Sequence, residues 1–261
     1  MAKEKKSTKT SKKTTKYTFD ENKKIIKVEE DRKDPKGDAK KYRIGSVCLW
    51  LLALAMEIIA ILGLFDKIPT LGMDKVVFLI LFIVLDLVFF IPGSLLWKKA
   101  NHIDPMSEKD KTKFFLWNNL GTILSVLAFL PIIILVFTNK DLDGKQKGIV
   151  GTIAIIALLL AGLTSYDWNP VSAEQLAKAE KEADAVAVDR DKDGNAIVYW
   201  APISGKKYHV KKDCGALKNA KKVTAGSVAK AYEKNLTDPC RRCIPEIKDT
   251  EDAHDHDHEE E

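Results

Sequence analysis

Residues 44–65 read IGSVCLWLLALAMEIIAILGLF, an apolar run with a single charged residue, Glu57. About 20 apolar residues are enough to cross the hydrocarbon core of a bilayer as one helix. Residues 76–97 and 114–138 also reach this length, and residues 148–165 form a shorter run without any charge. We therefore predict four transmembrane helices. For the fourth run, a buried or interfacial helix is the alternative.

Lysine and arginine are distributed unevenly around these runs. Eight stand in the 20 residues before the first run, and five stand in the loop between the second and third. The two opposite loops hold five together. Cytoplasmic loops are enriched in Lys and Arg, so both termini and the middle loop are predicted to be cytoplasmic. The direction of the fourth run has the weakest support from charge. Lys140, Lys145 and Lys147 precede this run, in a loop that is predicted to lie on the outer side.

Residues 1–43 are rich in Lys, Thr, Ser, Asp and Glu, a composition that predicts a disordered basic segment. No small-residue cleavage site follows the first apolar run, so this run is predicted to be an anchor and not a secretory signal. These features are typical of a multi-pass protein of a bacterial cell (inner) membrane. The lipid bilayer is then its first partner, and assembly with further copies of the chain stays open.

A soluble segment is expected at residues 172–245. Ser172 and Gln175 have the spacing of a capping box, which predicts a helix over residues 173–185. Residues 185–188 and 196–200 are predicted strands around the turn DRDKDGN. That turn resembles the start of a calcium loop, but Trp200 stands where the bidentate Glu is needed, so a hairpin turn is the preferred interpretation.

Four residues of this segment have the spacing of a zinc site. Cys240 and Cys243 form a C-x-x-C pair, and His209 and Cys214 supply a second pair about 25 residues earlier. Reduced thiols in the cytoplasm favour a metal over a disulfide. The fourth cysteine, Cys48, lies in the first apolar run and is interpreted as a small packed hydrophobic residue. The alternative is that the four residues do not meet at a metal.

The sequence around these ligands reads GKKYHVKKDCGAL at residues 205–217 and PCRRC at residues 239–243. Residues 198–245 thus resemble the Ada-type metal-binding module, in which a short helix separates two such stretches and one zinc is held. The DNA-repair member of that family uses four cysteines, and the first accepts the alkyl group. Here His209 takes that position, with one extra residue before Cys214, so DNA alkyl transfer is not carried over. Four protein ligands close the zinc shell, which favours a structural role.

Basic residues adjoin the ligands, and they predict a surface for phosphates of nucleic acid or lipid, or for an unknown protein partner. They are Lys211, Lys212, Arg241 and Arg242. A solvated basic surface is the alternative. The tail, residues 246–261, is acidic and contains His254, His256 and His258, which could hold a metal loosely. A solvated tail is the preferred interpretation.

Glu57 and Asp86 are the charged residues well inside the predicted spans, at about the same depth. Intramembrane carboxylates are costly and often mark ion or proton pathways. A protonated pair that ties the first two helices together is the alternative, and we prefer it.

No sequence pattern of an enzyme is found, and His102 is expected in a surface loop beside Asp104. The predicted fold class is an α-helical membrane protein with four transmembrane helices and a small α+β zinc-binding C-terminal domain. Two functions remain. In the first, the zinc module is an interaction device at the cytoplasmic face. In the second, the helices form a small transporter or channel, with the zinc module regulatory.

Overall fold

The computed structural model describes residues 16–19, 25–203 and 205–244. The chain divides into two compact units. The bundle unit comprises residues 32–179 and 232–235, and the metal unit comprises residues 1–31, 180–231 and 236–261. The acidic tail with its three histidines lies outside the described residues, as do residues 1–15 and 20–24 of the basic segment.

The bundle unit contains five helices in chain order. They are α1 Pro35–Leu64, α2 Lys75–Ile103, α3 Lys111–Asn118, α4 Leu120–Thr138 and α5 Gly144–Ser165. In the described part of the chain, α1, α2, α4 and α5 are each long and apolar enough to cross a membrane. Their positions agree with the four predicted runs.

Several helix boundaries differ from the prediction. α2 continues to Ile103, and α5 begins at Gly144. The first helix begins at Pro35, because the Asp34 side chain accepts a hydrogen bond from the Gly37 N–H at 2.9 Å and proline suits the first helical turn. The third run is divided at Asn119 into α3 and α4. Hydropathy reports only the apolar part of a helix, so it missed the polar turns at Pro35.

Close helix packing in the bundle unit depends on small residues. A Cβ at Gly63 of α1 would lie 2.2 Å from the buried Phe78 ring of α2. In α5, Ala154, Ala157 and Ala161 recur at helical spacing and are buried. Large apolar side chains such as Leu127 point outward instead, with 64% exposure. A surface of this kind is compatible with a surrounding bilayer.

The metal unit contains a four-stranded sheet with the order β1-β2-β5-β3. Its strands are β1 Lys16–Phe19, β2 Ile25–Val28, β3 Val198–Trp200 and β5 Lys222–Gly226. β2 lies parallel to β5, and β1 and β3 are antiparallel to their neighbours. The predicted disorder of residues 1–43 is therefore wrong for β1, β2 and the start of α1. The backbone groups of β2 are satisfied by hydrogen bonds to β5, and amino-acid composition does not reveal such pairing.

Four shorter elements complete the description. They are α6 Ala173–Val186, the strands β4 Lys207–Tyr208 and β6 Asp238–Pro239, and α7 Val228–Glu233. The capping box of α6 is present, because the Ser172 Oγ accepts from the Gln175 N–H and the Gln175 Oε1 accepts from the Ser172 N–H.

The predicted strand at residues 185–188 is wrong, because α6 continues to Val186. The turn after it is confirmed as a turn: Arg190 and Ala196 form an isolated antiparallel bridge. Its Asp191 Oδ1 accepts the backbone N–H groups of Asp193 and Asn195 at 2.9 and 2.8 Å. This carboxylate therefore stabilises the turn through local hydrogen bonds.

Candidate metal centre

His209 and Cys240 are brought together by strand pairing. β4 and β6 run parallel, with Tyr208 opposite Pro239. The Cys240 N–H extends this pairing by donating to the Tyr208 carbonyl at 2.9 Å. His209 also exchanges two backbone hydrogen bonds with Tyr199, at 2.7 and 2.8 Å. The two ligand-bearing loops are thus fixed against the sheet by backbone contacts.

Cys214 and Cys243 lie in tight turns. The Cys214 N–H donates to the Lys211 carbonyl at 3.3 Å, and a 3₁₀ helix, Gly215–Leu217, follows it. The Cys243 N–H donates to the Cys240 carbonyl at 2.8 Å, which closes the C-x-x-C turn. Both turns direct their sulfur atoms to one place.

The four predicted ligands form one buried group. Their ligand atoms all lie within 4.8 Å of one another. The Cys214 and Cys240 Sγ atoms are 3.9 Å apart, and the Cys243 Sγ lies 3.8 Å from His209 Nδ1. A tetrahedral zinc with bonds of about 2.0 to 2.3 Å requires ligand separations of about 3.6 to 3.8 Å. The group could therefore hold one metal ion with little adjustment.

A disulfide does not explain the arrangement. All four cysteines are free, and three of them are buried in this group. Cys48 is exposed, so its interpretation as a packed hydrophobic residue is wrong. The Sγ separation of 3.9 Å is far longer than the disulfide bond of about 2.05 Å. The cysteines are therefore arranged around a point between them and are not joined in pairs.

Burial controls the ionisation of the ligands. It raises the pKa of the Cys243 thiol to about 12, and the nearby Cys214 thiol adds to this effect. Burial also acts to raise the pKa of Cys214, but hydrogen bonds from the Ala216 N–H and the other two thiols outweigh it and lower that pKa. For His209, burial and then Lys207 lower the pKa below 6.5.

These shifts suit a cation-binding group. The imidazole of His209 is neutral at pH 7, as a metal ligand must be. The Cys243 thiol keeps its proton unless a cation replaces it. Backbone N–H groups of Ala216 and Lys211 donate to the sulfurs of Cys214 and Cys243. Such donors stabilise thiolates and hold them in place, in the manner of outer-shell groups at metal sites.

The basic residues named from the sequence lie on the surface around this group. Lys211, Lys212, Arg241 and Arg242 are all exposed. The Arg242 guanidinium acts electrostatically on Cys214. Arg242 is therefore close to the ligand group, and that the four basic side chains form one binding surface stays a prediction.

Glu57 and Asp86 are both buried in the bundle unit, with 6% and 2% exposure. They lie close enough to interact electrostatically. The Asp86 Oδ1 atom has no hydrogen-bond partner within the described residues. Two carboxylates, one on α1 and one on α2, therefore lie near each other inside the bundle unit.

His102 was expected on the surface beside Asp104, and this prediction is wrong. His102 lies in α2 with 8% exposure, and its Nε2 is 2.9 Å from the Asp167 Oδ2. Asp104 instead accepts from Arg43 at 3.0 Å. Sequence reasoning missed the partner because Asp167 is 65 residues away.

Comparisons with protein-family models, with curated proteins and with solved structures gave no match. The residues themselves therefore carry the functional argument.

Proposed function

We propose that this chain is an integral membrane protein that presents a structural zinc module at the cytoplasmic face as an interaction device. The observation that carries the proposal is the buried group of His209, Cys214, Cys240 and Cys243, with all ligand atoms within 4.8 Å. The metal would hold the module together, and the module's surface would bind the partner.

The donor set favours zinc with a closed shell. Three thiolates and one imidazole are among the usual ligands of structural zinc, and four protein ligands leave no position for water or substrate. The resemblance to the Ada-type module agrees with this choice. His209 stands in place of that family's reactive cysteine, so the proposal contains neither alkyl transfer nor another enzymatic activity.

The mixed sheet supports placing both ends of the chain on one side of the membrane. β2 precedes α1, whereas β5 follows α5, yet Ile26 pairs with Val223 in the parallel register. Two paired strands must lie on the same side, which requires an even number of crossings between them. Four spans satisfy this requirement. Together with the excess of Lys and Arg, it favours cytoplasmic termini in a bacterial inner membrane.

Metal analysis of the purified full chain tests the metal part. We expect one zinc per chain, its loss in Cys243→Ser, and full retention in the matched control Cys48→Ser. A wild-type protein without stoichiometric metal would contradict the proposal. Protease accessibility of the C-terminal part in inside-out and right-side-out vesicles tests the sidedness. Cleavage only in right-side-out vesicles would overturn the cytoplasmic assignment.

A second function rests on the two buried carboxylates. Asp86 has an oxygen without a partner in the described residues, and Glu57 lies near it. Such a pair could carry a proton or bind a cation, with the zinc module regulatory. The test is proton or cation flux in proteoliposomes for the wild type, for Glu57→Gln with Asp86→Asn, and for the exposed control Asp66→Asn. Flux that only the buried substitutions abolish would favour this function, and absence of flux in the wild type would remove it.

A further inference from the structure

Ile203 lies in the loop that joins β3 to β4, and it is 94% exposed. Among the described residues of the metal unit, Val188 and Ile203 are the large hydrophobic residues with high exposure. A single exposed apolar residue needs no explanation by itself. The residues near Ile203 in the chain make its exposure informative.

The loop around Ile203 is tight. The Gly205 N–H donates to the Ala201 carbonyl at 3.1 Å. A Cβ at position 205 would lie 2.5 Å from the same carbonyl oxygen, so a residue other than glycine would require the backbone to move. The closed turn leaves Ile203 at the surface, where it cannot join the core of Tyr199, Leu217, Val223 and Ala225.

Basic residues flank the ligands of the metal centre in the sequence, and two of them directly follow the Ile203 loop. Lys207 acts electrostatically on His209, and Arg242 acts on Cys214. The full set near the ligands is Lys206, Lys207, Lys211, Lys212, Arg241 and Arg242. A zinc ion with three thiolates has one net negative charge. Lys206, Lys207, Lys211 and Arg242 alone carry four positive charges, which exceeds that single negative charge.

The stretch of the metal unit that contains Ile203 is more basic than the stretch that contains Val188. Residues 198–231 contain eight Lys and one acidic residue, Asp213. Residues 180–195 contain six acidic residues against three basic ones. Val188 lies in this acidic stretch, whereas Ile203 lies in the basic one. The two exposed hydrophobic residues are therefore a matched pair in stretches of opposite net charge.

We propose that the Ile203 loop and the basic residues around the metal centre bind the anionic lipid headgroups of the membrane that this chain crosses. This inference rests on the proposed function, since it requires a folded module on the cytoplasmic side. Lys and Arg attract the negative leaflet, and an aliphatic residue beside them enters the headgroup region. Because the chain is anchored in that same membrane, the effective concentration of headgroups is high.

The aliphatic side chain of Ile203 also favours lipid over nucleic acid as the partner of this surface. Phosphates of either would attract the basic residues, but single-stranded nucleic acid is bound by stacking on aromatic side chains. An aliphatic side chain suits the lipid interface better. The acidic tail of the chain is a competing occupant, because it begins three residues after Cys243. Binding of nucleic acid, or of the tail, is therefore an alternative result that the experiment distinguishes from lipid binding.

The experiment places an environment-sensitive fluorophore on Ile203→Cys in the full chain, with Cys48→Ser as background and metal bound. The protein is placed in nanodiscs of phosphatidylcholine alone or of phosphatidylcholine with phosphatidylglycerol. We expect a blue shift and reduced quenching by iodide only with phosphatidylglycerol, and reversal of both in high salt. The same label on Val188→Cys should show no shift in either lipid.

Lys206→Gln with Lys207→Gln should abolish most of the shift without loss of metal. If Ile203→Cys fails to retain metal, the label is moved to the exposed Pro202. Metal content is measured on each sample. A metal-loaded protein whose label stays in water in both lipids overturns the lipid inference but leaves the zinc module standing, whereas absence of metal in the wild type overturns the proposed function.

Two further results would also overturn lipid binding. A shift that appears only after residues 249–261 are deleted would assign the surface to the tail. A salt-sensitive shift with added oligonucleotide in phosphatidylcholine, without any effect of phosphatidylglycerol, would assign it to nucleic acid.

Discussion

The bundle unit and the metal unit differ in how their buried apolar side chains are grouped. The main core of the bundle contains fourteen buried hydrophobic residues, distributed over four long helices and one loop. The corresponding cluster in the metal unit contains four, and other buried hydrophobic residues of this unit, such as Trp200, Tyr208 and Val228, lie outside it. Small domains commonly add a structural metal to a limited apolar core. We therefore expect side-chain packing to dominate the stability of the bundle unit, and the proposed metal to contribute strongly to the stability of the metal unit.

The sharpest way to break this comparison is to remove the metal. Zinc binding by small modules is worth about 10–16 kcal/mol, so a chelator should unfold the metal unit completely. Hydrogen exchange of the full chain should show loss of protection in β5, with unchanged protection in α5. Equal protection of β5 with and without chelator would show that the apolar core suffices.

A packing change in α1 should have the reverse effect: it should destabilise the bundle unit and leave the metal unit unchanged. Gly63→Ala places a Cβ 2.2 Å from the buried Phe78 ring and should destabilise the bundle by about 1–3 kcal/mol. Gly45→Ala is the matched control in α1, because its Cβ would meet only Leu96 at 3.5 Å. Thermal unfolding in detergent measures both, and zinc content should stay constant. Equal melting temperatures for the two variants would contradict tight packing at Gly63.

The strand that precedes α1 should contribute to the metal unit. The Glu29 N–H donates to the Ala225 carbonyl at 2.8 Å, and Glu29→Pro removes this donor. Losing the partner of one backbone group costs about 1–3 kcal/mol. Glu29→Ala keeps the donor and is the control. Exchange rates in β5 should rise more for proline than for alanine, and equal rates would show that β2 is dispensable.

Metal affinity should depend on pH in a defined direction. With the pKa of Cys243 at about 12 without metal, its thiol loses a proton when metal binds at pH 7 to 8. His209 is already neutral there, because its pKa is lowered. The metal-bound state holds fewer protons, so affinity rises with pH by at least about tenfold per unit. Competition titrations with a chelator of known protonation measure this slope, and an affinity independent of pH would contradict it.

The two units also differ in how much of them could be predicted from sequence. A transmembrane helix is a local property, since twenty apolar residues such as 76–97 suffice to indicate it. The four residues of the buried candidate group could be selected from the sequence because C-x-x-C spacing has a direct geometric meaning. The burial of Glu57 and Asp86 also followed from their position inside apolar runs. These features depend on neighbours in the chain.

The missed features depend on distant partners. β2 (IIKV) has the β-branched composition of a strand, but averaging over a Lys-rich segment hides it, and its partner β5 lies about 200 residues later. The buried pair of His102 and Asp167 is likewise a contact between separate parts of the chain. The donors to Cys214 and Cys243 are backbone groups, which no residue pattern identifies.

X-ray absorption at the zinc edge, on the full chain purified with its metal, tests the central claim most directly. The closed centre of His209, Cys214, Cys240 and Cys243 predicts three sulfur neighbours at about 2.3 Å and one nitrogen at about 2.0 Å. A shell with fewer sulfurs, or with an oxygen in the fourth position, would contradict a structural site built from these four residues.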